Sequence, residues 1–414
     1  MRSKFCVTDL QSICKKEKGA IISGPFGSNI SKKFFVEKGV PVIRGNNLPL
    51  GLEKFSDEGF VFVTEKKADE LRCDAFQDDL IFTAAGTIGQ VGIIPKDADY
   101  IRYVISNKQL RARIDSSKVL PLFAYYWFAA PWSTKVINDN NKGSTVPLIN
   151  LDVLKSLPIT YPVSIKEQQK IVDLLDCITQ KIKINYRIIK TLESMAKSLY
   201  DYWFVQFDFP DADDRPYKTS GGKMVWNEEL GREIPAGWNV KKIKEMATVT
   251  AGGDKPEKVS IVKTEECSVP IYTNGVDKDG LYGYCDTGRI KDDSITVGAR
   301  GNIGYTKFRR GGYLPIIRLI SVTPKEQCYL EYLGFFLKSY PYRKNGSVQN
   351  QLPVPDVEDI KLISPDREII EKYHTSVEVL LNKYYLLKKE IYDLHSLRDF
   401  LLPMLMNGQV TFRS

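Results

Sequence analysis

Two stretches of this chain carry an unbroken heptad stripe. In the first, apolar residues fall at Ile171, Leu175, Ile178, Ile182, Ile189, Leu192, Ala196, Leu199 and Trp203, with Asn185 the one polar member, in steps that alternate four and three. The second runs Ile370, Tyr373, Val377, Leu380, Tyr384, Leu387, Ile391, Leu394, Arg398 and Leu401. That spacing lines one seam of a long helix, and a strict heptad marks a coiled coil. The competing reading is two amphipathic helices packed on their own domains, although such helices drift off a heptad over this length. Asn185 is a candidate register device. Apolar residues off the seam, at Leu174, Ile184, Ile188, Leu381 and Leu386, predict a second, exposed stripe meant for a partner.

Ahead of each helix the pattern changes to short apolar runs broken by turns. Leu80–Thr83 and Val91–Ile94 read as strands around the turn Gly86–Gly89, and Gly24-Pro25, Gly45-Asn46, Gly252-Gly253 and Asn274-Gly275 are turn signals. The chain also repeats itself over about half its length. Val40-Pro41-Val42-Ile43 is echoed by Val269-Pro270-Ile271-Tyr272, and Ala85-Gly86-Thr87-Ile88-Gly89 by Arg300-Gly301-Asn302-Ile303-Gly304. The aromatic run Leu122–Phe128 returns as Leu330–Phe336 and reads as a core helix, with base stacking the alternative. The order is domain, helix, domain, helix. The fold class is therefore α+β: two similar mixed α/β domains and two long helices. If a two-fold relates the repeats, the helices run antiparallel. Expected boundaries are 1–163, 164–204, 205–364 and 365–414.

Composition narrows function only slightly. Formal net charge is +8, from 59 Lys+Arg against 51 Asp+Glu, which permits a polyanionic partner without demanding one. The 7 cysteines are scattered, with no C-x-x-C pair, and read as free buried thiols in a reducing compartment. No apolar run approaches the roughly 20 residues a membrane span needs, and the first residues lack a leader pattern. A soluble, cytoplasmic protein is expected.

Catalytic signatures are missing. There is no phosphate-binding G-x-x-x-x-G-K-[ST] loop, no Gly-rich cofactor fingerprint and no Asn-Pro-Pro-aromatic adenine-methylation motif. Asp356, Asp359 and Lys361 lie too close in sequence to form a nuclease set on two strands. His374 and His395 flank the second seam and read as exposed helix residues rather than metal ligands. No catalytic residue, metal ligand or cofactor is assigned to this chain.

What the turns do offer is polar and basic side chains on a scaffold, the arrangement that meets groove edges and phosphates. In the first domain these are Ser28, Asn29, Lys32, Lys33, Arg44, Asn46, Asn47, Thr87, Asn141, Lys142, Ser144 and Thr145. In the second they are Lys255, Lys258, Thr273, Asn274, Arg300, Asn302, Arg343, Lys344, Asn345, Ser347, Gln349, Asn350 and Gln351. Arg, Asn and Gln suit bidentate base contacts; Lys, Ser and Thr suit phosphates.

Several of these stretches resemble one family. Glu167-Gln168-Gln169-Lys170-Ile171-Val172, opening a helix after a Pro, is similar to the central conserved region of type I restriction enzyme specificity subunits. So is Trp203-Phe204-Val205-Gln206-Phe207-Asp208-Phe209-Pro210, with Pro216-Tyr217-Lys218-Thr219-Ser220-Gly221-Gly222-Lys223-Met224 behind it. Ile234-Pro235-Ala236-Gly237-Trp238 resembles the opening of their second domain, and Ser23-Gly24-Pro25-Phe26-Gly27-Ser28 their first target-recognition domain. The likeness covers almost the whole chain. It departs at Asp366-Arg367-Glu368-Ile369-Ile370, where a Glu-Gln pair often stands.

The resemblance implies two target-recognition domains, each reading half of a split, asymmetric site on double-stranded DNA, with a domain fold similar to the recognition domain of TaqI-type adenine methyltransferases. It implies that the helices act as a ruler and dock two modification subunits, which carry S-adenosylmethionine. Restriction subunits using ATP and Mg²⁺ would join the same assembly. Two other classes remain: a stand-alone methyltransferase or nuclease, against which the missing motifs count, and a protein-binding coiled-coil adaptor, which leaves the paired polar loops without a role.

Overall fold

A computed structural model of the chain describes residues 4–143, 145–342 and 351–410. They divide into two compact units. One holds the residues up to Tyr186 together with those from Lys389 on; the other is Arg187–Lys388.

In the first unit, an antiparallel sheet takes its strands in the order Ile21–Ser23, Gln109–Ala112, Leu80–Thr83, Val91–Ile93. A second, mixed sheet is ordered Val61–Val63, Val40–Ile43, Tyr103–Ile105, Asp74–Ala75, with the middle two strands parallel. Phe5–Asp9 pairs with Pro158–Pro162 to close the domain. Val40–Ile43 and Leu80–Thr83 are buried along their whole length, which is why they read as continuous apolar runs rather than as alternation. The helix Pro121–Phe128 opens on proline, whose fixed φ suits a first helical turn, and buries Phe123 through Phe128. This aromatic run is a core helix.

The second unit rebuilds this topology with one strand fewer in its mixed sheet among the described residues. Its antiparallel sheet runs Ala247–Ala251, Ile320–Pro324, Ser294–Val297, Thr306–Arg309. Its mixed sheet runs Leu281–Cys285, Val269–Tyr272, Leu314–Pro315, again parallel in the last pair. Asn239–Lys242 pairs with Lys361–Ser364, and Leu330–Ser339 repeats the aromatic core helix. Ahead of this domain stands the family-like junction. Phe209 stacks between Tyr217 and Trp238, at ring-centroid distances of 4.6 and 4.7 Å, and Asp208 accepts from the backbone N–H and the hydroxyl of Thr219.

The central helix spans Ile165–Tyr200 and ends in the π-turn Asp201–Val205; the distal helix spans Arg367–Met406. In the first unit, Ile171, Val172 and Leu175 share a core with Leu402, Leu405 and Met406. In the second, Ala196, Tyr200 and Trp203 share one with Ile370, Tyr373, Val377 and Leu381. Opposite ends meet in each, so the helices run antiparallel. They also enter the domain cores, so both readings of the apolar stripe describe part of the packing.

The seam is buried at Ile171, Leu175, Ile178, Ile182, Asn185, Ile370, Tyr373, Val377, Tyr384, Leu387 and Ile391, and half-buried at Ile189, Leu192 and Leu394. It slips by one residue elsewhere. Leu381, expected on the exposed flank, is buried, whereas the expected seam residue Leu380 is half-buried. Tyr200 and Leu402 likewise replace Leu199 and Leu401. The cause is geometric: a straight helix lags a strict heptad by about 20° per repeat, and a one-residue step restores the face. Of the other flank positions, Ile184, Ile188 and Leu386 are exposed, and Leu174 packs against the first core.

The expectation for His374 also needs correcting. Like His395, it is half-buried rather than exposed, with Nδ1 2.6 Å from a carboxylate oxygen of the wholly buried Glu331. Among the cysteines, Cys14, Cys73, Cys267 and Cys285 are buried, but Cys177 is exposed. Burial pushes the Cys14 thiol up to about 12.

Candidate nucleic-acid interface

In the first domain four loops come together at one rim. Gly24 N–H donates to the Gln109 carbonyl at 2.9 Å, bringing the 24–34 loop against the turn Ser106-Asn107-Lys108. The approach is so close that a Cβ on Gly24 would lie 1.8 Å from the Ser106 carbonyl oxygen, so only glycine fits. Ala84 N–H donates to Lys108 O at 2.7 Å, joining that turn to the Gly86–Gly89 hairpin. Gly86 N–H donates to Pro147 O at 3.0 Å, adding the 141–148 loop. Gln90 then ties in the Arg44 turn, accepting from the Thr83 hydroxyl at 3.0 Å and donating to Leu48 O at 2.7 Å.

The second domain repeats these joints. Gly252 N–H donates to Leu319 O at 2.8 Å as Gly24 does to Gln109 O. Ile316 N–H donates to Tyr272 O at 3.0 Å, matching Ser106 N–H to Ile43 O at 2.9 Å. Leu352 N–H donates to Ala299 O at 2.9 Å, matching Ile149 N–H to Ala84 O at 2.8 Å. One backbone scaffold is built twice, and different side chains stand on it.

Ser28, Asn29, Lys32, Thr87, Lys142 and Thr145 are exposed and have no side-chain partner among the described residues. Lys33 is exposed beside the Phe34 ring, its Nζ 4.8 Å from the centroid. Arg44 and Asn46 both donate to the Gly59 carbonyl, at 2.8 and 3.3 Å, which anchors their turn. Lys255 lies over the Tyr282 ring at 5.0 Å, and Lys258 pairs with Glu266 at 2.7 Å. Arg300 donates to the Gln351 side-chain oxygen at 2.9 and 3.3 Å, so these two exposed residues form one unit; Asn302 is exposed beside them. Thr273 is half-buried, its hydroxyl accepting from Gly275 N–H at 3.3 Å. Ser144, Arg343, Lys344, Asn345, Ser347, Gln349 and Asn350 lie outside the described residues.

Two candidates turn inward. Asn47 has no exposed surface: its amide donates to Ser56 O and Glu58 O at 3.0 and 2.9 Å and accepts from Arg44 N–H at 3.0 Å. Asn274 is 9% exposed, donates to Ile317 O at 2.7 Å and accepts from Ala299 N–H at 2.7 Å. Each is buried and uses its side-chain amide to hold loops, which turns it away from a base. Sequence reasoning missed residues as well. Asn107, Lys108 and Arg318 sit on the turns that meet Gly24 and Gly252, and the signal for the first pair is the polar step Ser106-Asn107-Lys108 between two apolar strands.

Charge is locally managed too. Asp279 sits beside this rim, 2.8 Å from Lys307 and paired with Lys388. Burial pulls its carboxyl up, but the two ammonium groups outweigh that and hold it well below the usual range. Among the described residues no cluster of His, Cys, Asp or Glu could hold a metal, and no helix is long and apolar enough to cross a membrane.

Twin domains that present polar loops from one repeated scaffold, each followed by a long helix, define a two-module recognition protein. The chain belongs to the type I restriction modification DNA specificity domain family, whose model matches residues 4–194 and 235–392. It is a specificity subunit and not a catalytic one, and DNA binding and target recognition follow from that family. Specificity subunits of these systems assemble with methyltransferase and restriction subunits. The chain is 26% identical to the MjaIX specificity subunit of Methanocaldococcus jannaschii over 99% of its own length and 96% of that protein's. It is 24% identical to the HindI specificity subunit of Haemophilus influenzae, covering 76% of this chain and 83% of that one. The crystal structure of a type I system S subunit from M. genitalium superposes with a TM-score of 0.63 at 17% identity, over 98% of this chain and 96% of that one, a likeness of fold.

Proposed function

We propose that the chain reads a bipartite, asymmetric target on double-stranded DNA, one short half per domain, in the cytoplasm. The carrying observation is the rim built twice with the same backbone joints, such as Gly24 to Gln109 and Gly252 to Leu319, under different side chains. A common scaffold with different exposed groups reads two different sequences. The reading modules are residues 1–163 and 205–364, and the segments 164–204 and 365–414 set the spacing between half-sites.

Docking falls to the outer faces of those helices. Ile184 and Phe400 are exposed there in one unit and Met195 and Leu386 in the other, and apolar side chains left in water mark a protein interface. Its occupants are two modification subunits, which bring S-adenosylmethionine, and through them restriction subunits that use ATP and Mg²⁺. This chain supplies position and selectivity alone.

The test is to map methylated adenines across DNA from the source cells, before and after deletion of the gene. A two-part motif with an unread spacer, lost on deletion, is expected. A continuous motif, or one that survives deletion, would overturn the reading.

A further inference from the structure

Two consecutive residues of the second domain, Ile317 and Arg318, have φ of 53° and 56°. Side chains rarely adopt the left-handed region, and a β-branched one is an outlier there. The surroundings enforce it. Ile317 N–H donates to Gly253 O at 2.8 Å, Arg318 N–H to Gly252 O at 3.1 Å, and the buried Asn274 amide to Ile317 O at 2.7 Å. A Cβ on Gly252 would stand 2.7 Å from the Pro315 carbonyl carbon, so the glycine is what lets the turn close.

Burial does not compensate this strain. Ile317 is 49% exposed, and Arg318 is exposed with no side-chain partner among the described residues. The other left-handed non-glycine residues have an account within the fold. Arg72 caps a helix, Phe207 is buried, and Lys278 and Asp279 form the turn whose carboxylate Lys307 and Lys388 grip. Asp78 and Asp214 are of a residue type that tolerates the region. Nor does the topology require the strain: the first domain makes the same approach through Ser106-Asn107-Lys108 without a left-handed residue. Strain that the scaffold enforces and the core does not use points to the side chain it aims.

We infer that Arg318 is a base-reading residue of the second domain, its guanidinium taking both acceptors of a guanine edge in the major groove. The planar fork of arginine matches O6 and N7 of guanine. Asn274 accepts from Ala299 N–H at 2.7 Å while holding the Ile317 carbonyl, so one buried amide fixes the turns of Arg300 and Arg318 together. Arg300 is already engaged by Gln351, at 2.9 Å, whereas Arg318 is exposed with no side-chain partner among the described residues. The inference rests on the DNA-reading function proposed above.

The experiment is selection from a randomised duplex library by the full chain assembled with its modification subunits. For Arg318→Ala, one guanine position of one half-site should relax, the other half-site and the spacer should hold, and affinity for the cognate site should fall about 10- to 100-fold. Arg318→Lys keeps the charge but not the fork, so the same position should relax with a smaller loss. Full specificity in either variant overturns the inference. So does a uniform loss across all sequences with a shallower salt dependence, which is the behaviour of a phosphate contact. If the wild-type assembly itself selects no motif, the function proposed above falls instead.

Discussion

Asn185 donates from Nδ2 to a carboxylate oxygen of Glu390, at 2.9 Å, from a seam position with no exposed surface. Its Oδ1 has no partner among the described residues, while Lys181 reaches the other Glu390 oxygen at 3.4 Å. A buried amide satisfied on one side costs stability, and its use in a coiled coil is to forbid other registers. Asn185→Leu is therefore expected to stabilise the chain by about 1 kcal/mol, raising the melting temperature by roughly 2–4 °C. The same change should broaden the spacer lengths found among selected DNA targets. A melting point that falls would show that the Glu390 contact stabilises rather than merely specifies.

The part of the fold that was legible is the part that repeats. Gly86–Gly89 and Gly301–Gly304 are far apart in sequence and similar in pattern, and one topology built twice follows from that. The helix seams were legible for the same reason, periodicity, and were misplaced where periodicity fails, at Leu380 against Leu381, Leu199 against Tyr200 and Leu401 against Leu402. The rim was harder. Residue type cannot tell Asn46, which is exposed, from Asn47 beside it, which is buried, because the difference lies in which carbonyls the fold brings within reach. Nor could it show the left-handed turn at Arg318, where Ile317 argues locally for a strand.

That distinction between neighbours can be measured. Asn47→Ala removes a buried amide and its three backbone bonds, to Ser56 O, Glu58 O and Arg44 N–H. A loss of about 2–3 kcal/mol in urea unfolding is expected. Asn29→Ala removes an exposed side chain and should shift stability by less than about 0.5 kcal/mol while weakening DNA binding. The reverse ranking would mean that Asn47 leaves its pocket to meet DNA.

Glu331 supplies a pH dependence. Burial drives its carboxyl upward, and the hydrogen bond from His374 and the charge of Arg310 offset this only in part. An acid whose folded pKa lies above its unfolded value binds more protons when folded. Its contribution favours folding at low pH and is lost as pH rises from about 4.5 through the raised folded value. Wild type should thus lose melting temperature over that window relative to Glu331→Gln, which keeps an acceptor for His374 but cannot ionise. Melting curves of both proteins between pH 4 and pH 8 would show the gap open with rising pH. Parallel curves would place the carboxylate in balance with its partners.

The spacing function gives the strongest test of the helices. The central helix has 36 residues, so it spans about 54 Å at a rise of 1.5 Å per residue. Half-sites centred about one DNA turn apart, ~10 base pairs, fall within that length at about 3.4 Å per base pair. Inserting four residues after Tyr186 adds about 6 Å, close to two base pairs, and turns the following helix only slightly past a full turn. Most of the seam is therefore kept. The expected target has both half-sites intact and an unread spacer longer by about two base pairs. Ile182→Pro acts differently: it removes a helix hydrogen bond and clashes with the preceding turn, at a cost of ~3 kcal/mol or more. Spacing should then become heterogeneous or selection should disappear. Both variants are read by sequencing the DNA they select alongside wild type. If the insertion leaves the spacer unchanged, the distance is set by the docked partners and not by these helices.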